Sequence, residues 1–194
     1  MRILSGKLKG SKIQTNNEKF EGSGSFVTRP TSDRVKETLF NIIQHGFNVD
    51  FSKISFLDCF SGSGAVGLEA ISRGCSIVSF LEKNSTACEC ITKNLTNFKL
   101  YENDQGNTFR ILNYDFFDSK LLPKYKFDVV FLDPPYDLMK AGKVFMRLKE
   151  LRVTKINSLI IYESNRELAK TDGFEILRSR KIGRTHLNFL KVFD

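Results

Sequence analysis

The chain has 194 residues, 41% hydrophobic and 27% charged, which describes one ordinary domain able to bury a core of its own. No apolar run approaches the roughly 18 residues of a membrane span, and the opening MRILSGKLKGSK lacks the continuous apolar stretch of a signal peptide, so a cytoplasmic location is expected. The net charge of +8 admits a nucleic-acid partner without requiring one, and Cys59, Cys75, Cys88 and Cys90 lie far from metal-ligand spacing with His45 and His186, so free thiols and no metal are expected.

In chain order, Arg2, Lys7, Lys9 and Lys12 come before the first acid, Glu18, and the segments RILSG and SKIQT are predicted to pair as a hairpin. The Gly/Ser-rich stretch 16–26 follows as a loop, so that residues 1–28 form an N-terminal extension to a main domain over 29–194. Next, Pro30 with Thr31 or Ser32 as N-cap starts a helix that places Val35, Leu39, Ile42 and Ile43 on one face and stops at Gly46. From 54 onward β-like and helical segments alternate: strands over 54–59, 76–82, 109–114 and 127–132, with helices over 65–73, 85–98 and 140–151. A strand over 158–164 and two runs over 174–183 and 185–193, joined by a Gly-containing turn, complete the chain. The fold class is α/β: five parallel strands plus a terminal antiparallel hairpin make a seven-stranded, mostly parallel, Rossmann-like sheet with a small N-terminal β-hairpin. A dinucleotide dehydrogenase would have six parallel strands instead.

The segment FLDCFSGSGAVGLEA carries Gly62, Gly64 and Gly67 as G-x-G-x-x-G between a strand and a helix, a pattern that by itself points to a dinucleotide. Asp58, four residues before the first glycine, argues otherwise: a fixed carboxylate repels pyrophosphate and suits an ammonium. Glu82, at the tip of the next strand, is placed to accept from both hydroxyls of a ribose. Asp115, at the third tip, can accept from an adenine amine while Phe116 covers the ring. Each acid taken alone is explained as a cap on the following helix. An ammonium, a ribose and an adenine in strand order together describe S-adenosylmethionine, with Asp58, Phe60, Ser61, Gly62, Gly64, Glu82, Asp115 and Phe116 as its expected contacts.

The run FDVVFLDPPYD ends a strand buried on both faces in an acid, two prolines and an aromatic. Neither proline can donate to a ladder or sit inside a helix, so the chain leaves the sheet at Asp133, at the strand end where ligands bind in open α/β sheets. A strand-terminating turn is the competing explanation. A nicotinamide-dependent oxidoreductase leaves Asp58 and this tetrad unexplained, and a non-catalytic RNA-binding module has no use for three cofactor-facing acids.

The loop Asp58 to Gly67 resembles that of class I methyltransferases, and Asp133 to Tyr136 resembles their Asp/Asn-Pro-Pro-aromatic motif for exocyclic amines, which DNA adenine and protein glutamine methyltransferases also carry. Together with RPTSDRVKETLFN (29–41) and the basic opening RILSGKLKGSKI, the chain is similar to the RsmD-type 16S ribosomal RNA guanine-N2 methyltransferases. The resemblance implies that Asp133 and the Pro134 carbonyl accept from the target amine and that Tyr136 stacks on the base. It also implies a ribosomal RNA partner, within a small-subunit particle, for a monomeric enzyme. The RNA surface is expected to comprise Arg2, Lys7, Lys9, Lys12, Arg29, Arg34 and Arg184, with the basic residues of both termini joined in a single patch.

Overall fold

The structure is a computed structural model and describes residues 1–15, 32–101, 107–118, 125–135 and 141–192. Seven strands, β1 (Ser55–Cys59), β2 (Ile77–Glu82), β3 (Thr108–Asn113), β4 (Phe127–Leu132), β5 (Thr154–Ser164), β6 (Phe174–Ile182) and β7 (Thr185–Val192), form one sheet of order β3-β2-β1-β4-β5-β7-β6. β1 to β5 are mutually parallel, whereas β7 runs antiparallel to both β5 and β6, as the turn at Gly183 requires. β1 is buried at all five positions and β4 at five of six, which is why both read as continuous rather than alternating apolar runs.

Four helices, α1 (Asp33–Asn41), α2 (Ala65–Ser72), α3 (Ser85–Asn97) and α4 (Ala141–Leu151), cover the sheet. Ser32 caps α1 by accepting from the Val35 N–H at 3.3 Å, and the helix widens into a π-helical turn over Ile42–Gly46 before it stops. One core layer lies under α1, α2 and α3 and includes Leu39, Phe40, Phe56, Leu68, Phe80, Ile91, Phe131 and Phe189. The other lies under α4 and includes Leu57, Cys59, Val130, Leu132, Phe145 and Tyr162. Because strand side chains alternate between these layers, Asp58 faces the layer of α2.

The N-terminal segment is a short hairpin: Arg2 bridges Lys12 in antiparallel fashion, the Ile3 N–H donates to the Ser11 carbonyl at 2.9 Å and the Ile13 N–H to the Met1 carbonyl at 3.0 Å. Its strength comes from α2. Glu69 is fully buried, and its carboxylate accepts from the N–H groups of Leu4 (2.8 Å) and Ser5 (3.0 Å) and from Arg73 Nε (3.0 Å). The equally buried Lys36 of α1 lies 3.6 Å from it and donates to the Arg2 carbonyl. Burial pulls the Lys36 ammonium below its usual value, and the Glu69 carboxylate opposes that shift. At the end of α2, Ser72 donates to the Ser5 carbonyl and accepts from Leu8 N–H, while Lys7 N–H donates to the Ser72 carbonyl at 2.8 Å. Residues 1–13 are thus built into the domain's first layer; the expected boundary at 28/29 lies outside the described residues.

Removing one member of a buried, hydrogen-bonded ion pair strands the other. Glu69→Ala is therefore expected to lower the unfolding free energy by about 3 to 5 kcal/mol in urea melts, and Lys36→Met combined with Glu69→Leu to recover part of that loss. Equal destabilisation by single and double variants would show that the loss comes from the hydrogen bonds Glu69 makes to Leu4 and Ser5 and not from a stranded charge.

Candidate active site

The carboxyl ends of β1, β2, β3 and β4 meet along one edge of the sheet, and each ends in a chemically distinct residue or turn. Asp58, 1% exposed, accepts from the Gly67 N–H at 2.8 Å in the first turn of α2. Burial, with the Glu82 charge adding to it, pushes the Asp58 carboxyl up to about 8, against the pull of the Gly67 N–H. The close approach is permitted by glycine, because a Cβ on Gly67 would lie 2.3 Å from the Phe80 ring. Gly64 takes a left-handed conformation (φ 77°) to turn the loop into α2.

Ser61 pins the loop to the sheet: its hydroxyl donates to the Asp58 carbonyl at 2.6 Å and its N–H donates to the Leu81 carbonyl at 3.2 Å. Glu82 then spans loop and strand tip, accepting from Gly62 N–H at 2.9 Å and Asn84 N–H at 2.8 Å. A Cβ on Gly62 would meet nothing within 4 Å, so the loop is open on that side. Asp115, half-exposed beyond β3, accepts from Phe117 N–H at 2.9 Å and lies 3.7 Å from the Lys83 ammonium. Phe116 is buried, with its ring 5.0 Å from that of Phe60, so it enters the core beneath the edge rather than offering an open face. The half-buried Phe60, at φ 59°, stands between Phe116 and the loop.

β4 pairs with β1 so that Phe131 is level with Asp58 and Leu132 with Cys59. Asp133 therefore lies two positions beyond Asp58, about 7 Å further along the strand direction. Pro134 is buried and Pro135 exposed, so the turn is anchored by one proline; Tyr136 lies outside the described residues. Tyr162, level with Leu132 on β5, has its hydroxyl raised by burial and then by the Asp133 charge, which brings Asp133 within electrostatic reach of that buried ring.

The basic residues divide. Arg2, Lys12 and Arg34 group about the start of α1, where Arg2 lies 3.6 Å from Asp33; Arg29 lies outside the described residues. Lys7 and Lys9 sit with the tip that docks on Ser72, at the amino edge of the sheet. Arg184 occupies the β6–β7 turn, and the pairing of Ser164 with His186 carries that turn to the carboxyl edge with Asp133. The expected single patch is thus divided among three places, because α2 runs antiparallel to the strands and its last turn holds the hairpin tip at the far edge.

Three contributors escaped the sequence reading. Arg147 of α4 donates through Nε to the Phe116 carbonyl at 3.1 Å and through Nη2 to the Asp118 carbonyl at 2.5 Å, fixing the turn after β3. Asn113 donates to the carbonyls of Glu82 and Lys83, both at 3.0 Å, joining two strand tips. Asn94 of α3 joins the glycine loop to the N-terminal arm. Asn113, an amide at a strand end, left a weak signal. Arg147 and Asn94 left none, as their partners are backbone carbonyls about 30 or more positions away.

A glycine loop over a buried strand-end acid, with acids at successive strand tips of a 3-2-1-4-5-7-6 sheet, defines a class I methyltransferase. Residues 1–191 match the family model described as Conserved hypothetical protein 95. Ribosomal RNA small subunit methyltransferase D of Haemophilus influenzae is 34% identical over 94% of this chain and 89% of its own, and that of Buchnera aphidicola subsp. Baizongia pistaciae 33% identical over 88% and 79%. Among solved structures, yhhF of Escherichia coli superposes with a TM-score of 0.75 at 27% identity, covering 100% of this chain and 98% of its own. HI0767 of Haemophilus influenzae gives 0.75 at 29% over the same shares. The chain belongs to this family, the RsmD-type methyltransferases.

Asp58 yields a test independent of activity. Its carboxyl ionises near 3.8 when unfolded and near 8 when folded, so between those values the folded state holds the extra proton and stability falls as pH rises. Asp58→Asn is expected to match the parent's melting temperature near pH 4 and to exceed it increasingly up to pH 8, with a constant gap above. A gap that does not change with pH would mean an ordinary carboxyl.

Proposed function

We propose that this chain transfers a methyl group from S-adenosylmethionine to the exocyclic N2 amine of one guanine in small-subunit ribosomal RNA, acting as a monomer on a small-subunit particle. The cofactor fits the residues present. A carboxylate as deeply buried as Asp58, with one backbone donor, is best matched by a cation, and an ammonium there would return it to its ionised form. Glu82 keeps acceptor capacity beyond its two backbone donors and is the ribose residue; Ser61, Gly62 and Gly64 form the floor. Asp115 stands for the adenine amine, with Phe60, backed by Phe116, as the apolar wall. When bound, the cofactor supplies an electrophilic methyl on a sulfonium.

The observation that carries the reading is the shared edge: Asp133 and Pro134 lie two and three positions past the level of Asp58 on the adjacent strand, so an amine held by Asp133 and the Pro134 carbonyl is beside whatever Asp58 holds. The guanine N2 lone pair is delocalised into its ring and is a poor nucleophile. Asp133 and the Pro134 carbonyl each accept one N–H, which turns the nitrogen toward tetrahedral geometry and frees its lone pair. Asp133 meets the positive charge as it develops and takes the surplus proton. Pro135 holds the carbonyl's direction with no N–H of its own to satisfy. Tyr136 stacks on the extruded base, a contact of about 1 to 3 kcal/mol.

Methylation of small ribosomal subunits with labelled cofactor, followed by nucleoside digestion, should yield N2-methylguanosine; N6-methyladenosine would move the assignment to adenine. Asp133→Ala should lower turnover ~100 to 1000-fold with cofactor affinity almost unchanged, and Asp133→Asn should be milder because it keeps one acceptor oxygen. A destabilised Asp133→Ala protein with near-normal turnover would make the residue a turn cap. Replacing Arg2, Lys12 and Arg34 together should reduce the salt dependence of RNA binding by roughly 0.7 to 0.9 in log-log slope for each phosphate no longer neutralised. An unchanged slope removes the start of α1 from the RNA surface.

A further inference from the structure

Asn94 is fully buried in α3, far from both acids and glycines in the chain, yet its side chain touches two functional segments at once. Its Oδ1 accepts from the Gln14 N–H at 2.9 Å, and its Nδ2 donates to the Gln14 carbonyl at 3.1 Å and to the Ser63 carbonyl at 3.2 Å. The amide's orientation is fixed by these partners, since the reverse would set its oxygen against two carbonyls. Gln14 follows Lys12 by two positions in the arm whose Lys12 bridges Arg2, and Cys90 Sγ, from the same helix as Asn94, donates to the Gln14 carbonyl at 3.2 Å. Ser63 lies inside the glycine loop, between Gly62 and Gly64. The two donor hydrogens of one amide are therefore divided between the arm and the loop.

We propose that Asn94 is a positioning residue that couples RNA on the N-terminal arm to cofactor in the glycine loop, so that each strengthens the binding of the other. If the loop shifts, a buried amide hydrogen loses its acceptor; if the arm shifts, the same amide loses a donor and an acceptor together. Either ligand that holds its own segment in place thus stabilises the geometry the other needs, and the coupling is reciprocal by linkage. The inference rests on the methyltransferase reading and adds a coupling to it: the enzyme holds its cofactor more tightly when RNA is on the arm, and RNA more tightly when the cofactor is bound.

The test is calorimetric titration of the full chain with S-adenosylhomocysteine, alone and with saturating small ribosomal subunits, and the reciprocal titration. The parent should bind the cofactor product ~5-fold or more tightly when the subunit is present, within the usual range of such couplings. Asn94→Asp keeps the acceptor for Gln14 but cannot donate to Ser63 or to the Gln14 carbonyl, and should reduce the ratio to about one. Gln14→Pro, at an exposed position, removes the N–H that Asn94 accepts and should lower the ratio while leaving the Asn94 to Ser63 contact in place; it decides the matter if Asn94→Asp does not fold. A parent ratio of one, with both ligands binding singly, overturns the coupling, as does an undiminished ratio in a folded variant. A parent that binds no S-adenosylhomocysteine overturns the methyltransferase reading itself.

Discussion

Helix α2 is buried along all eight of its residues, and the architecture depends on how its two ends are satisfied there. A helix exposes unpaired N–H groups at its start and carbonyls at its end, and neither finds water in a core. At the start, the Asp58 carboxylate accepts from Gly67 N–H, which ties the helix to β1. At the end, the Ser72 carbonyl accepts from Lys7 N–H, and Glu69 within the last turns gathers Leu4, Ser5, Arg73 and Lys36. The solution at one end supplies the candidate cofactor pocket, and the solution at the other mounts the basic N-terminus.

Electrostatics follows from the same burial. Burial, with the Glu82 charge adding to it, raises the energy of the Asp58 carboxylate, and Asp58 has little solvent to relieve it. By contrast burial pushes the Cys75 thiol up to about 12 and raises Cys59 and Cys88 as well, which keeps these three protonated and unreactive, while Cys90 Sγ donates to the Gln14 carbonyl. The perturbed acid at a strand end and the silent cysteines are products of one environment acting on different chemistries.

The sheet also sorts the surface. β1 to β5 all point the same way, so their ends converge on one edge, and the antiparallel β7 alone returns a turn to that edge from the other side of Asp133. Arg184 reaches the carboxyl edge for this reason, while Lys7 and Lys9, carried by the last turn of α2, stand at the opposite edge.

Sequence alone determined the order of strands and helices, the parallel sheet with its closing hairpin, the glycine loop, and the acids at the strand tips, because each is written within a few neighbouring residues: apolar period, a cap at Ser32, a proline pair after Leu132. It placed the N-terminal hairpin, which pairs at Arg2 and Lys12, but not its anchoring by Glu69 and Ser72 about 65 positions away. It placed Phe116 beside an adenine, and nothing local says that this ring is buried with Phe60 5.0 Å away. Tertiary structure alone decided the buried Lys36–Glu69 pair, the Arg147 hold on the turn after β3, the division of the basic ends between two edges, and the place of Asn94 between arm and loop. These are contacts of side chains with distant backbone, set by how layers stack and not by any period along the chain.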